Sequence, residues 1–226
     1  MQMNLLQFIN KHQEIQSNIL EVLNGTKGIH QIVDINSIPF ITQSKVDSML
    51  KTENSIGMIF CLLTKLMKIE VNCFNNRNDL TAIVIPPSIK SIDNNAFNGC
   101  TNLKQVIIPQ SVTFIGTNAF SNCRYLTQII IPSSVTSIGN NAFNGCISLY
   151  NVIFQSPSKL ASIGDGAFFG CISLKIISIP STVVSIGVHA FSTYSLEDLS
   201  FIAPSSLLSI NDFTFSSCSN LKKLII

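Results

Sequence analysis

The hydrophobic positions of this chain recur at a period far longer than a helical or strand repeat. A phenylalanine stands at Phe74, Phe97, Phe120, Phe143, Phe168, Phe191 and Phe215, in steps of 23 to 25 residues. Five residues before each is an isoleucine: Ile69, Ile92, Ile115, Ile138, Ile163, Ile186 and Ile210. A leucine follows at Leu80, Leu103, Leu126, Leu149, Leu174, Leu196 and Leu221. Cys100, Cys123, Cys146, Cys171 and Cys218 each fall three residues after their Phe, and Arg77 and Tyr194 hold that slot in the other two units. Such periods mark stacked supersecondary units, because one unit alone cannot bury its apolar face.

The order within a unit predicts local structure. Leu103, Val106 and Ile108 hold positions one, four and six of a short strand and fix its core side. Strands of stacked units then pair as a parallel sheet, about 4.8 Å apart. Pro86, Pro109, Pro132 and Pro180 close these strands, since proline cannot donate to the ladder. The residue after each Ile is Asp93, Gly116, Gly139, Gly164, Gly187 or Asn211. These types tolerate positive φ, so a left-handed turn is expected there. The following Ala-Phe pair is expected inside, with the Phe column as a stacked spine. Ser156-Pro157-Ser158-Lys159 and Ala203-Pro204-Ser205-Ser206 mark two-residue expansions in loops, where insertions are tolerated.

The best-formed unit, Leu103 to Cys123, carries Val106, Ile108-Pro109, Val112, Ile115-Gly116, Ala119-Phe120 and Cys123 in order. It resembles the BspA-type (Treponema pallidum-like) leucine-rich repeat, whose pattern is L-x-x-[IV]-x-[IV]-P-x-[ST]-V-x-x-I-G-x-x-A-F-x-x-C. The resemblance covers residues 80–226 well and 57–79 in degenerate form. It implies an α/β repeat fold: a leucine-rich-repeat solenoid with a parallel β-sheet on its concave face. It also implies protein–protein interaction, often adhesion at the surface of bacteria or parasitic protists. Core-filling free thiols are what it implies for the Cys column.

Residues 4–24 read as an amphipathic helix, with Leu5, Phe8, Ile9, Ile15, Ile19, Val22 and Leu23 near one face. Further short helices are expected over 26–37 and 42–50. In the degenerate first repeat, Phe60 and Leu62 are expected on the strand columns, with Leu66, Ile69 and Phe74 on the later ones. The chain therefore divides into a helical N-terminal cap, 1–56, and a solenoid, 57–226, of about seven repeats. At the other end, Leu221–Ile226 form an uncapped strand. An open edge invites pairing, so a homodimer through this segment is expected.

Composition narrows the function. Hydrophobic residues make up 46% and charged residues 12%, with a formal net charge of +2. That excludes disorder and a basic nucleic-acid-binding surface. The most apolar stretch, Ile56 to Met67, is interrupted by Thr64 and Lys65 and is too short to span a membrane. Met1-Gln2-Met3-Asn4 lacks the basic start of a secretory signal. With seven cysteines, an odd number, reduced thiols in a cytoplasmic setting are expected. The alternative is the cell surface by a non-classical route.

No nucleophile–base or metal-ligand spacing appears, so no enzyme activity, cofactor or metal is expected. The acidic pair Glu197-Asp198 reads as solvated on a strand surface. What remains is the outward side of the strands. Position five runs Val84, Ile107, Ile130, Ile153, an apolar stripe. β-Branched residues simply suit strands, or the stripe is a protein-binding strip. On the second reading the site comprises Lys104, Gln105, Ile107, Gln128, Ile130, Tyr150, Ile153 and Lys175. The function expected is a non-enzymatic scaffold, an intracellular adaptor or regulator, with a BspA-type surface adhesin as the alternative.

Overall fold

Each turn of the chain lays down two strands, and the turns stack. The computed structural model describes residues 31–33, 58–60 and 67–225. The longer strands are β1 (Gln31–Val33), β2 (Met58–Phe60), β4 (Ala82–Val84), β6 (Gln105–Ile107), β8 (Gln128–Ile131), β10 (Asn151–Phe154), β12 (Ile176–Ile179), β14 (Asp198–Phe201) and β16 (Lys223–Ile225). Between them lie two-residue strands: β3 (Lys68–Ile69), β5 (Ser91–Ile92), β7 (Phe114–Ile115), β9 (Ser137–Ile138), β11 (Ser162–Ile163), β13 (Ser185–Ile186) and β15 (Ser209–Ile210). All pairings are parallel. The fold is the expected leucine-rich-repeat solenoid. Among the described residues there is no helix.

The repeat columns are the strand registers. Ile83 faces Val106, and Ile163 faces Ile138 on one side and Ile186 on the other. The expansion at 156–159 leaves this register intact because it is absorbed in the loop before β11. The short strands form one unbroken seven-stranded sheet. The long strands instead fall into three groups: β1-β2-β4-β6, β8-β10, and β12-β14-β16.

The N-terminal end departs from expectation in two places. Gln31–Val33 are a strand paired with β2, where a short helix over 26–37 was expected. In the degenerate repeat, Met58 rather than Phe60 lies opposite Ile83. A continuous apolar run such as Met58-Ile59-Phe60 satisfies more than one register, and the column pattern does not choose between them. The rest of the expected helical cap, 1–56, lies outside the described residues.

Between the two sheets runs the core. The six phenylalanines from Phe74 to Phe191 stack at centroid distances of 4.9 to 5.4 Å with nearly parallel rings. Phe215 continues the spine more loosely, at 6.2 Å. Each spine residue is also tied by its backbone: Phe97 N–H donates to Ala119 O and Phe120 N–H to Ala142 O, each at 2.8 Å.

The left-handed turn is not where the glycine column lies. Positive φ occurs two residues later, at Asn72, Asn95, Asn118, Asn141, Gly166, His189 and Phe213. The glycines answer a different demand. A Cβ on Gly139 would stand 2.7 Å from the carbonyl carbon of Gly116 and the nitrogen of Thr117 in the rung below. Close approach of backbones requires glycine there, a second use of the residue that sequence alone does not separate from the first.

The thiols of Cys100, Cys123, Cys146 and Cys171 are free and buried, that of Cys218 is free and half-buried, and Cys73 is buried. Each thiol of the Cys column donates to the Phe carbonyl of the rung below, as in Cys123 Sγ to Phe97 O at 3.2 Å and Cys146 Sγ to Phe120 O at 3.1 Å. Loss of hydration pushes Cys100 and Cys146 up to about 12 and raises Cys123 and Cys171 well above the usual thiol range. In the unit that lacks one residue, Thr193 is buried and Tyr194 points out. The Thr193 hydroxyl donates to Cys171 O at 3.3 Å, a different carbonyl from the Phe oxygen that the thiols reach on other rungs.

Candidate protein-binding surface

Side chains at positions one, four and six of these strands pack inward, so positions two, three and five carry whatever the surface does. Along the stack the outward side changes gradually. Ala82 and Val84 of β4 are buried on this side too, which removes Val84 from the expected stripe. Ile107 and Ile130, with Gln105 and Gln128, are half-buried. Exposure is full only further along, at Tyr150 (58%), Ile153 (42%) and Ile176 (63%).

The change coincides with a break in the ladder. β10 and β12 are neighbours but share no ladder hydrogen bonds. A groove of about 520 Å³ lies along this seam. Tyr150, Ile153 and Phe154 line one side, Lys175, Ile176 and Ser178 the other, and Ile202 also contributes. Of the sequence-predicted site residues, the structure thus brings together Tyr150, Ile153 and Lys175. Lys104, Gln105, Ile107, Gln128 and Ile130 lie on the rungs before the groove. Ile176 was legible as the one large apolar residue at position three. Ile202 was not, because it follows its strand in the loop of the second expansion.

The flank charges are arranged as a row rather than as isolated lysines. Glu197 accepts from Lys222 at 2.6 Å and pairs with Lys175 at 3.1 Å. The hydrogen bonds from Lys222 and then Lys175 hold its carboxyl below the usual carboxylate range. Exposed pairs of this kind contribute little stability. Lys104 has no acidic partner among the described residues.

A second apolar row precedes the strands. Ile147, Ile172 and Tyr194 follow the Cys column on consecutive rungs, and Tyr125 stands beside them; all four are exposed. Among the described residues no group of three His, Cys, Asp or Glu side chains converges as a metal site would. Nor, among them, is any helix long and apolar enough to cross a membrane.

The repeat pattern, the two parallel ladders and the Phe spine agree with comparison to known proteins. The family model for the BspA type leucine rich repeat region matches residues 67–158 and 154–226, in six copies. The chain belongs to the BspA-type leucine-rich repeat family. Among solved structures, the pneumococcal vaccine antigen PcpA is similar, with 26% identity and a TM-score of 0.57 over 64% of this chain and 37% of that one. The chain thus corresponds to little more than a third of that antigen. The T. pallidum leucine rich repeat protein has 23% identity and a TM-score of 0.44, over 69% of this chain and 79% of that one. A leucine rich cell surface protein from Faecalibacterium prausnitzii has 21% identity and a TM-score of 0.43, over 89% and 79%. No curated protein matches the chain. BspA-type repeats, like other leucine-rich repeats, generally serve as binding scaffolds rather than catalysts.

Proposed function

We propose that this BspA-type solenoid captures a protein partner on its long-strand face, seated in the groove between β10 and β12. One observation carries the reading: Tyr150, Ile153, Ile176 and Ile202 are exposed around a single groove at a break in the sheet. An aromatic anchor among exposed aliphatic residues, with the charged groups at the edge, is the anatomy of a partner site. Lys175 is the one charged side chain among the described residues lining the groove and it is paired with Glu197, so recognition proceeds by shape and apolar contact, with little electrostatic steering.

The placement proposed is intracellular, as an adaptor or regulator. Thiol usage supports it: of the chain's seven cysteines, Cys100, Cys123, Cys146, Cys171 and Cys218 hold unpaired thiols. A second reading, a surface adhesin of the BspA type, is supported by the likeness to the pneumococcal vaccine antigen.

The test pairs affinity capture from the native cell with surface labelling of intact cells. The double substitution Ile153→Asp and Ile176→Asp should abolish capture while the far-UV spectrum is unchanged. Capture that survives it removes the groove as the site. Labelling of intact cells selects the adhesin, and protection selects the adaptor. Light scattering on the same samples detects a second copy as the occupant: a dimer lost in the double variant makes the groove a self-association surface.

A further inference from the structure

One long strand has no open side. The outward positions three and five of β4 are Ala82 and Val84, and they are only 5% and 3% exposed. On none of the six later rungs is either position buried; Gln105, Ile107, Gln128 and Ile130, on the next two, are half-buried. All three residues of β4 are buried, whereas β8 and β12 alternate between buried and open positions.

Flanking strands do not account for the difference. Val84 lies level with Ile59 of β2 and Ile107 of β6. Ile107 and Ile130, both larger than Val84, also have a strand on each side and stay half-buried. Strand neighbours flank a side chain without roofing it. A second mark lies on β6. Gln105 stands opposite Ala82, and its Oε1 is buried with no hydrogen-bond partner among the described residues. A carboxamide oxygen on an open sheet face is hydrated. One that has lost its water beside a buried alanine lies under a cover and calls for a donor from it.

Chain length says which segment can supply that cover. β1 is the outer strand of the sheet β1-β2-β4-β6, two strands from β4, a distance of about 10 Å. Residues 34–57 are taken up by the return that joins the parallel strands β1 and β2. The thirty residues preceding Gln31 carry no such duty. Within them Leu5, Phe8, Ile9, Ile15, Ile19, Val22 and Leu23 recur at helical spacing along one side. Seven residues separate Leu23 from Gln31, a reach of about 23 Å, ample for a return over β4.

We propose that residues 4–24 fold back over the outward side of β4 and the near part of β6, as an intramolecular cover on the first part of the long-strand face. The apolar stripe meets Ala82 and Val84. His12, the one polar member of that stripe, supplies the donor that Gln105 Oε1 lacks. The cover ends before β8, where Gln128 and Ile130 are half-buried, so the groove between β10 and β12 stays open. The face then has two separate uses, one filled by the chain itself and one left for a partner, and neither depends on the other.

The experiment measures alkylation of single introduced cysteines in the full chain, read peptide by peptide in a mass spectrometer. Val84→Cys should react with iodoacetamide about tenfold more slowly than Ile130→Cys, because thiol reactivity follows access. Adding Phe8→Asp and Ile19→Asp should bring the Val84→Cys rate to within about twofold of Ile130→Cys. Cys123 and Cys146, buried in the core, should stay unreactive throughout and so report an intact fold. Asn10→Asp with Ser17→Asp, opposite the stripe, should leave Val84→Cys protected. Equal rates at the two cysteines in the otherwise unaltered chain overturn the proposal, because the face is then open. So does a Val84→Cys rate that the Phe8→Asp and Ile19→Asp pair leaves unchanged, or that the Asn10→Asp and Ser17→Asp pair raises equally. A photo-crosslink decides independently of these variants: benzoylphenylalanine in place of Ile107 should capture residues 4–24 of the same chain. Capture of residues 34–57, of a second chain seen as a doubled mass, or of nothing overturns it.

Discussion

The two sheets of this solenoid are built from the same turns and behave differently. The short-strand sheet is continuous over seven rungs and nearly invariant, a Ser-Ile pair at five of them. The long-strand sheet breaks twice, and its outward residues range from buried alanine to exposed tyrosine and isoleucine. The difference teaches where each task lies. Beside the short strands, the Ile, Ala, Phe and Cys columns are committed on most rungs to packing, so little can vary. Along the long strands positions one, four and six face the core, and positions two, three and five are free to form a surface. The breaks in the ladder then decide where that surface opens into a groove.

This contrast can be broken most forcefully at the spine. Phe120 stacks between Phe97 and Phe143, so Phe120→Ala should cost about 3–5 kcal/mol in denaturant unfolding. A loss below about 1 kcal/mol would mean that neighbouring rungs collapse into the space and that the spine is not the organising element. Next in size is the backbone contact. Gly139→Ala drives a Cβ into the rung below and should cost about 1–3 kcal/mol. Gly145→Asn, at a left-handed position (φ 69°) where the nearest atom is the mobile end of Asn122, should stay within about 0.5 kcal/mol. Equal effects would erase the distinction between the two uses of glycine.

The thiol column gives a pH signature. Burial raises Cys146 from an ordinary 9.0 to about 12 in the fold. Above pH 9 the unfolded chain loses this proton and the folded chain keeps it, so stability falls as pH rises from 9 towards 12. Each such thiol contributes a slope of about 1.4 kcal/mol per pH unit. Replacement by alanine, Cys146→Ala, should flatten the alkaline limb of a melting-temperature profile by one such increment. A profile of unchanged slope would show the thiol to be hydrated. The smallest effect belongs to the other sheet. Ile176→Asp alone should change stability by no more than about 0.5 kcal/mol, because its side chain is open to solvent. A large loss would mean that the groove is part of the core.

Much of this was readable in advance. The strand columns, the Phe spine and the buried thiols follow from spacing and residue type, because a stack repeats one environment on every rung. The left-handed residue was misplaced by two positions. Glycine answers both backbone conformation and steric approach, and only the distance from Gly139 to the rung below separates them. Of the surface, Tyr150, Ile153 and Lys175 were identified and do meet. Val84 was misjudged because strand alternation marks it as outward yet does not reveal that this side of β4 is also covered. Ile202 was missed because loop residues carry no period.

By itself, then, the sequence determined the repeat, its register from Leu80 onward and the identity of the core, since a periodic apolar pattern admits one way of burying all its columns at once. It also accounts for the scarcity of charge, with 12 of the 26 charged residues in the 147 positions after Asp79. Tertiary structure alone decided where the long-strand ladder breaks, which outward residues converge on a groove, and that the rings of His189 and Phe213 stack. Those outcomes depend on hydrogen bonds and contacts between rungs, which the columns of a repeat bring near one another without specifying.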